Sequence, residues 1–275
     1  MLSCGRFTFS LSRPLIMGIV NVTPDSFSDG GHFLNAKHAI EHGLLLIEQG
    51  ADLLDIGGES TRPGAAPVPE EEELARVLPV LAGLRDSGAA LSIDTQKPGV
   101  MRAAIEAGVD MVNDVNALQL PGAVAAVADS SVAACLMHKQ GDPRTMQQLP
   151  MYYDVVAEVR AFLQARLHAA QAAGIARERL VIDPGFGFGK NLEHNVALLK
   201  QFDALTDLGV PVLAGLSRKS VLGKIAGLEM HERVHASVAA AVLAVMKGAK
   251  IVRVHDVKAT RDALAIVNAV EGWHE

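Results

Sequence analysis

Eight times along this chain a short aliphatic run gives way to a polar or glycine-rich turn and then to a stretch of helical periodicity. The runs fall at 15–20, 53–56, 90–93, 111–112, 132–136, 180–182, 211–214 and 251–252. Helices are expected over 36–49, 70–85, 122–128, 154–173, 193–205, 231–247 and 258–271, with another beginning at Pro98. The runs lack polar alternation, so each strand is buried on both faces, as in a parallel sheet covered by helices. Repeated strand–helix units of this kind point to a closed barrel, and about 250 residues is usual for one. The expected fold is therefore α/β, a (β/α)8 TIM barrel. No linker, low-complexity segment or repeat divides the sequence, so one domain is expected over residues 1–275. Phe7, Phe9 and Leu11 alternate in phase ahead of the first run, and residues 2–12 are expected to form a short N-terminal β-hairpin closing one end.

Composition narrows the class further. Hydrophobic residues make up 49% of the chain and aromatics only 4%, so the core must be aliphatic and alanine-rich. A net charge of −6 argues against a general nucleic-acid binder. Cys4 and Cys135 are the only thiols and make no disulfide framework, which matches a reducing, cytoplasmic compartment. The longest apolar run, 238–246, is too short to span a bilayer, and residues 1–12 show no leader pattern. Small-molecule substrates are expected, with neither nucleic acid nor membrane as partner.

In a barrel every strand opens its carboxyl end onto one face. Asn21, Asp94, Asn113, Met137, Asp183, Lys219, Arg253 and His255 would all lie on that rim. Any one of them alone is a helix cap or a satisfied neighbour; together they mark a site. Asp94, Asn113 and Asp183 offer carboxylate and amide groups that suit a flat heterocycle rich in N–H donors. Arg62, Lys219, Arg253 and His255 suit a phosphate or carboxylate, and arginine also stacks on flat rings. Asn21 is a hard oxygen donor able to meet Mg2+ on a diphosphate. After Asp183, Gly185, Gly187 and Gly189 make a loop whose backbone can approach a ligand closely.

Five segments then carry a likeness. They are Asn21-Val-Thr-Pro-Asp-Ser-Phe-Ser-Asp-Gly30, Asp55-Ile-Gly-Gly-Glu-Ser-Thr-Arg-Pro-Gly64, Asp183-Pro-Gly-Phe-Gly-Phe-Gly-Lys190, Ser217-Arg-Lys-Ser220 and Arg253-Val-His-Asp256. In content and order they resemble the dihydropteroate synthase family, over about residues 14–257. The resemblance implies a (β/α)8 barrel in which p-aminobenzoate displaces diphosphate from 6-hydroxymethyl-7,8-dihydropterin diphosphate. It implies that Asp94, Asn113, Asp183 and Lys219 hold the pterin, with Met137 packed on its ring and Arg253 stacked on it. It assigns diphosphate to Asn21, Arg253 and His255, and Mg2+ to Asn21. It sets Thr61, Arg62, Pro63, Phe188, Lys219 and Ser220 around p-aminobenzoate, and makes Asp94, Asp183, Lys219 and Arg253 the catalytic set. A homodimer and membership of a sulfonamide-target family belong to the same expectation.

Other patterns compete. His231-Glu-Arg-Val-His235 matches the zinc-protease motif, but both histidines lie in phase with Val238, Val242 and Val245, as in a packing or interface stripe. His38 and His42 are expected as a surface pair, Glu59 as a residue that orients its loop, and Cys135 as buried and inert. A methyltransferase of the same barrel class acting on methyltetrahydrofolate would keep the pterin carboxylates, yet would not need the Thr61-Arg62-Pro63 or Ser217–Ser220 segments. A non-catalytic pterin-binding subunit would not need the anion-binding residues.

Overall fold

The computed structural model describes residues 1–22, 31–60, 65–141 and 150–273, and within 31–34 the backbone only. A two-stranded antiparallel hairpin, β1 (Leu2–Cys4) with β2 (Phe7–Phe9), precedes the main sheet. The sheet strands are β3 (Leu15–Asn21), β4 (Leu53–Gly57), β5 (Ala90–Asp94), β6 (Met111–Asp114), β7 (Ala133–Met137), β8 (Leu180–Asp183), β9 (Leu213–Ala214) and β10 (Ile251–Val254). All pair in parallel, in the order β8-β7-β6-β5-β4-β3-β10-β9. A parallel bridge between Ile182 and Val212 brings β8 to β9 and closes the ring. The helices are α1 (Gly31–Glu48), α2 (Glu70–Leu84), α3 (Pro98–Glu106), α4 (Ala123–Ala128), α5 (Val155–Ala172), α6 (Leu192–Lys200), α7 (Ser220–Ala226), α8 (Val234–Met246) and α9 (Val257–Glu271). This is the expected (β/α)8 barrel with its hairpin.

Local chemistry sets where helices begin. Pro98 opens α3, where a missing N–H is harmless. Asp154 caps α5, accepting from Val156 N and Ala157 N at 3.0 Å each. Asn191 and His194 form a reciprocal capping pair at the start of α6.

Two expected helices are interrupted. The helix over 193–205 stops at Gln201 and resumes as a 3-10 helix, Phe202–Leu208. The break turns Phe202 into the core, where it stacks on Phe186 with ring centroids 6.2 Å apart. The helix over 231–247 starts late: Met230–Glu232 forms a separate 3-10 turn closed by Glu229 and Glu232, and α8 follows. His231 and His235 therefore stand on different elements. Val245 is buried and Val242 packs against the core, so these positions of the expected stripe serve packing, and the outward apolar positions of α8 are Leu243 and Met246. His42 is half-buried and bonded to the backbone of Ile19, so it does not stand fully on the surface as expected.

Core packing falls into two bodies. One lies between barrel and helices, and the other fills the barrel interior: Leu15, Met17, Leu53, Ala90, Met111, Ala133, Cys135, Val181, Leu213 and Ile251, joined from below by Leu2 and Cys4. The hairpin is pinned as a plug. Arg6 donates through its backbone N and its Nε to Asp110 Oδ1, both at 3.0 Å, and Cys4 Sγ reaches Asp110 O at 3.4 Å. Side chains on a strand repeat every second residue on one face. Counting upward from this floor, the next inward positions are Asp55, Ser92, Asp94, Asn113, Asp183 and Arg253.

Candidate active site

Strand register levels these groups at the carboxyl-end mouth. Asn21 lies opposite Gly57, Gly57 opposite Asp94, Asp94 opposite Asn113, and Met137 opposite Asp183. Arg253 reaches across from β10. Its Nε donates to Asp55 Oδ2 at 2.5 Å and its Nη2 to Asp94 Oδ2 at 2.8 Å. Asn113 Nδ2 donates to the same Asp55 oxygen at 2.9 Å. Burial works against the Arg253 charge, but Asp55 and Asp94 outweigh it and hold the guanidinium more firmly protonated than usual. Burial pushes Asp94 up to about 7; Arg253 opposes the shift, while Asp55, Glu73 and Asp114 add to it. The second oxygens, Asp55 Oδ1 and Asp94 Oδ1, are buried with no hydrogen-bond partner among the described residues. Buried acceptors of that kind are unfavourable until donors reach them.

Asp183 faces this cluster from β8. Burial raises its pKa, against the pull of Lys219, the Gly185 N–H, Lys190 and Arg253, and its Oδ1 accepts from Gly185 N at 2.7 Å. Lys219 donates to Phe186 O at 2.5 Å and lies 4.8 Å above the Phe188 ring. Burial lowers Lys219 to about 8, with Asp183 opposing. A Cβ placed on Gly215 would sit 3.7 Å from Asp183 Oδ2 and 3.8 Å from Lys219 Nζ, so the two charges bracket one spot. Phe188 is half-buried there, and Met137 is buried at the end of β7.

The glycines of the 185–189 loop have a steric reason. Gly185, Gly187 and Gly189 take φ of 66°, 79° and 62°. A Cβ would come within 1.9 Å of His138 O at Gly185 and 2.2 Å of Gln140 O at Gly189. Next door, Ser217 Oγ lies 3.0 Å from His255 Nδ1 and accepts from His255 N at 3.1 Å. Arg218 holds a left-handed backbone, φ 56°, steadied by its Nε donating to Asp256 Oδ2 at 3.0 Å. Ser220 opens α7 in solvent.

The structure thus brings Asp94, Asn113, Asp183, Lys219 and Arg253 together, with Asn21, Met137, Phe188, Ser220 and His255 around them. Thr61, Arg62 and Pro63 lie outside the described residues. Their flanks are tied: Glu59 accepts from Val68 N at 2.9 Å and from Lys97 Nζ at 2.8 Å. Two participants escaped the sequence reading. Asp55 sits inside an aliphatic run, and only its two-residue spacing from Leu53 and Gly57 marks it as inward-facing. Lys190 carries no sequence mark beyond ending the glycine-rich loop, yet it is buried.

A (β/α)8 barrel with buried acids, two cations and a histidine at its carboxyl-end mouth is built for a flat, donor-rich ligand carrying an anion. The profile of the family described as pterin binding enzyme matches residues 17–255. The dihydropteroate synthase of Neisseria meningitidis serogroup B is 52% identical over 273 residues, covering 97% of this chain and 96% of its own. The Xanthomonas albilineans dihydropteroate synthase solved with 4-aminobenzoic acid superposes with a TM-score of 0.93 at 56% identity, covering 98% of this chain and 97% of its own. The same enzyme in complex with 7,8-dihydropteroate gives 0.90 at 53%, covering 98% of each chain. The chain belongs to the pterin-binding enzymes and, among them, to the dihydropteroate synthase family.

Proposed function

We infer that the chain condenses p-aminobenzoate with 6-hydroxymethyl-7,8-dihydropterin diphosphate, releasing diphosphate and forming 7,8-dihydropteroate. The observation that carries the reading is the single mouth in which Arg253 is clamped by Asp55 and Asp94 while Asp183 and Lys219 bracket a neighbouring spot. The unpaired Asp55 Oδ1 and Asp94 Oδ1 are acceptors for ring N–H and amino groups of a pterin. Asp183 and Asn113 extend that edge, Met137 packs on the ring, and Arg253 stacks on its face. Lys219, Phe188 and Ser220 border the arylamine, with Thr61, Arg62 and Pro63 assigned there from the motif.

An arylamine is a weak nucleophile, so departure of diphosphate limits the reaction. Arg253 and His255 offset the leaving charge, and Ser217 orients the imidazole through its Nδ1. Positive charge building on the dihydropterin is met by Asp94 and Asp183 in a buried, low-dielectric setting. Among the described residues no three His, Cys, Asp or Glu side chains gather to cage a metal. A lone hard oxygen at the rim fits Mg2+ carried largely by substrate phosphates and water. Asn21 would hold it there, where the ion would neutralise the departing anion.

No helix among the described residues is long and apolar enough to cross a membrane, and the two thiols are free, which supports a cytoplasmic enzyme. Leu243, Met246, Ile266 and Val270 are 51–77% exposed on the neighbouring helices α8 and α9, a face suited to a homodimer. The purified chain should release one diphosphate per p-aminobenzoate incorporated. Diphosphate release without arylamine incorporation, or methyl transfer from methyltetrahydrofolate, would count against the reading.

A further inference from the structure

We propose that Lys190 is a positioning residue, its ammonium set inside the 185–189 loop to fix the platform on which Lys219 and Phe188 receive the arylamine. The inference rests on the reading above. Lys190 is only 2% exposed. Its Nζ donates to Gly185 O at 2.9 Å, Phe188 O at 3.0 Å and His138 O at 3.4 Å, and lies 2.9 Å from His138 Nδ1. Among the described residues no carboxylate hydrogen-bonds to it; backbone carbonyls and one imidazole hold the amine, which burial pushes down to about 7 with Asp183 opposing. Burial pushes His138 down to about 3, with Lys190 acting in the same direction, so its ring is neutral and Nδ1 accepts. His138 is itself fixed edge-on against Phe162 at 4.9 Å.

The loop is folded around this amine. Carbonyls of Gly185 and Phe188 turn toward Lys190, whereas one of the two carbonyls between them, Phe186 O, turns to Lys219. That alternation is what the positive φ values of Gly185 and Gly187 permit. Lys190 thereby sets where Lys219 anchors and where the Phe188 ring lies beneath it. It hydrogen-bonds to neither Asp183 nor Lys219 and reaches both only through its field, so its geometric hold on the site runs through the loop. A lysine that only stabilised the fold would leave the relation between the two substrates unchanged.

Lys190→Met in the full chain keeps side-chain bulk and removes the donors. Its KM for p-aminobenzoate should rise roughly ten-fold while its KM for the pterin diphosphate stays within about two-fold. Hydrogen exchange at Gly187 and Phe188 should quicken. Lys190→Arg, whose fork does not fit the carbonyl cage, should behave like Lys190→Met. Unchanged KM values, or equal rises in both, overturn the proposal. If Lys190→Met does not fold, His138→Leu, which removes one acceptor, must show the same skew in smaller measure, and its absence overturns the proposal. Wild-type chain lacking p-aminobenzoate-dependent turnover would refute the functional reading instead; in that case unchanged exchange in the variants overturns the inference on its own.

Discussion

Replacing Asp94 with asparagine removes one titrating group while leaving an acceptor for Arg253. In the folded chain Asp94 titrates at about 7, against 3.8 when exposed, a rise of about three units. At about 1.36 kcal/mol per unit, that is about 4 kcal/mol of linkage. The sign follows from proton counts. Between these two values the folded chain holds the Asp94 proton and the unfolded chain has released it. The stability Asp94 contributes is thus fully present below about pH 4 and is lost as pH climbs through about 7. The amide in the Asp94→Asn variant does not titrate, and other groups largely cancel in the comparison. Urea unfolding of both proteins between about pH 4 and about pH 8 should show wild-type stability falling relative to Asp94→Asn by about 4 kcal/mol. A difference flat within about 1 kcal/mol, or one that grows with pH, would refute the argument that burial dominates at this carboxyl.

Asp55 supplies the second hold on Arg253 and also accepts from the Asn113 amide, so Asp55→Ala should lower stability by about 3 kcal/mol, read by denaturant midpoint. Asp55→Asn should lose less, and equal losses would show that charge is irrelevant there. Chelation should abolish turnover, Mg2+ should restore it and Zn2+ should not. It should leave the thermal midpoint of the ligand-free chain unmoved, because one amide oxygen does not retain the ion without phosphate; a midpoint that drops would reveal a protein-held metal.

Much of this architecture is readable in one dimension because a barrel writes itself as a period. Eight aliphatic runs, five of them ending in polar residues, set strands, direction and mouth, and the observed strands lie within two residues of those runs. The departures come from tertiary contacts that no local pattern carries. Phe202 leaves helical phase to stack on Phe186. Arg233 interrupts the helix over 231–247 by donating to Leu228 O and Arg218 O. The site divides in the same way. Asp94, Asn113 and Asp183 advertise themselves as polar residues ending apolar strands. Asp55 is masked by the leucines and isoleucine around it, and the burial of Lys190 depends on His138, fifty-two positions away.

The grip of Arg253 on Asp55 and Asp94 has a consequence for anyone screening this pocket. Those acids already hold a tethered guanidinium on Oδ2, which competes for that oxygen as an intramolecular rival does, at high effective concentration. A fragment whose donors reach the open Oδ1 atoms surrenders nothing, whereas one that needs Oδ2 must displace Arg253. Amidine or aminopyrimidine edges aimed at the open oxygens are therefore the better starting points.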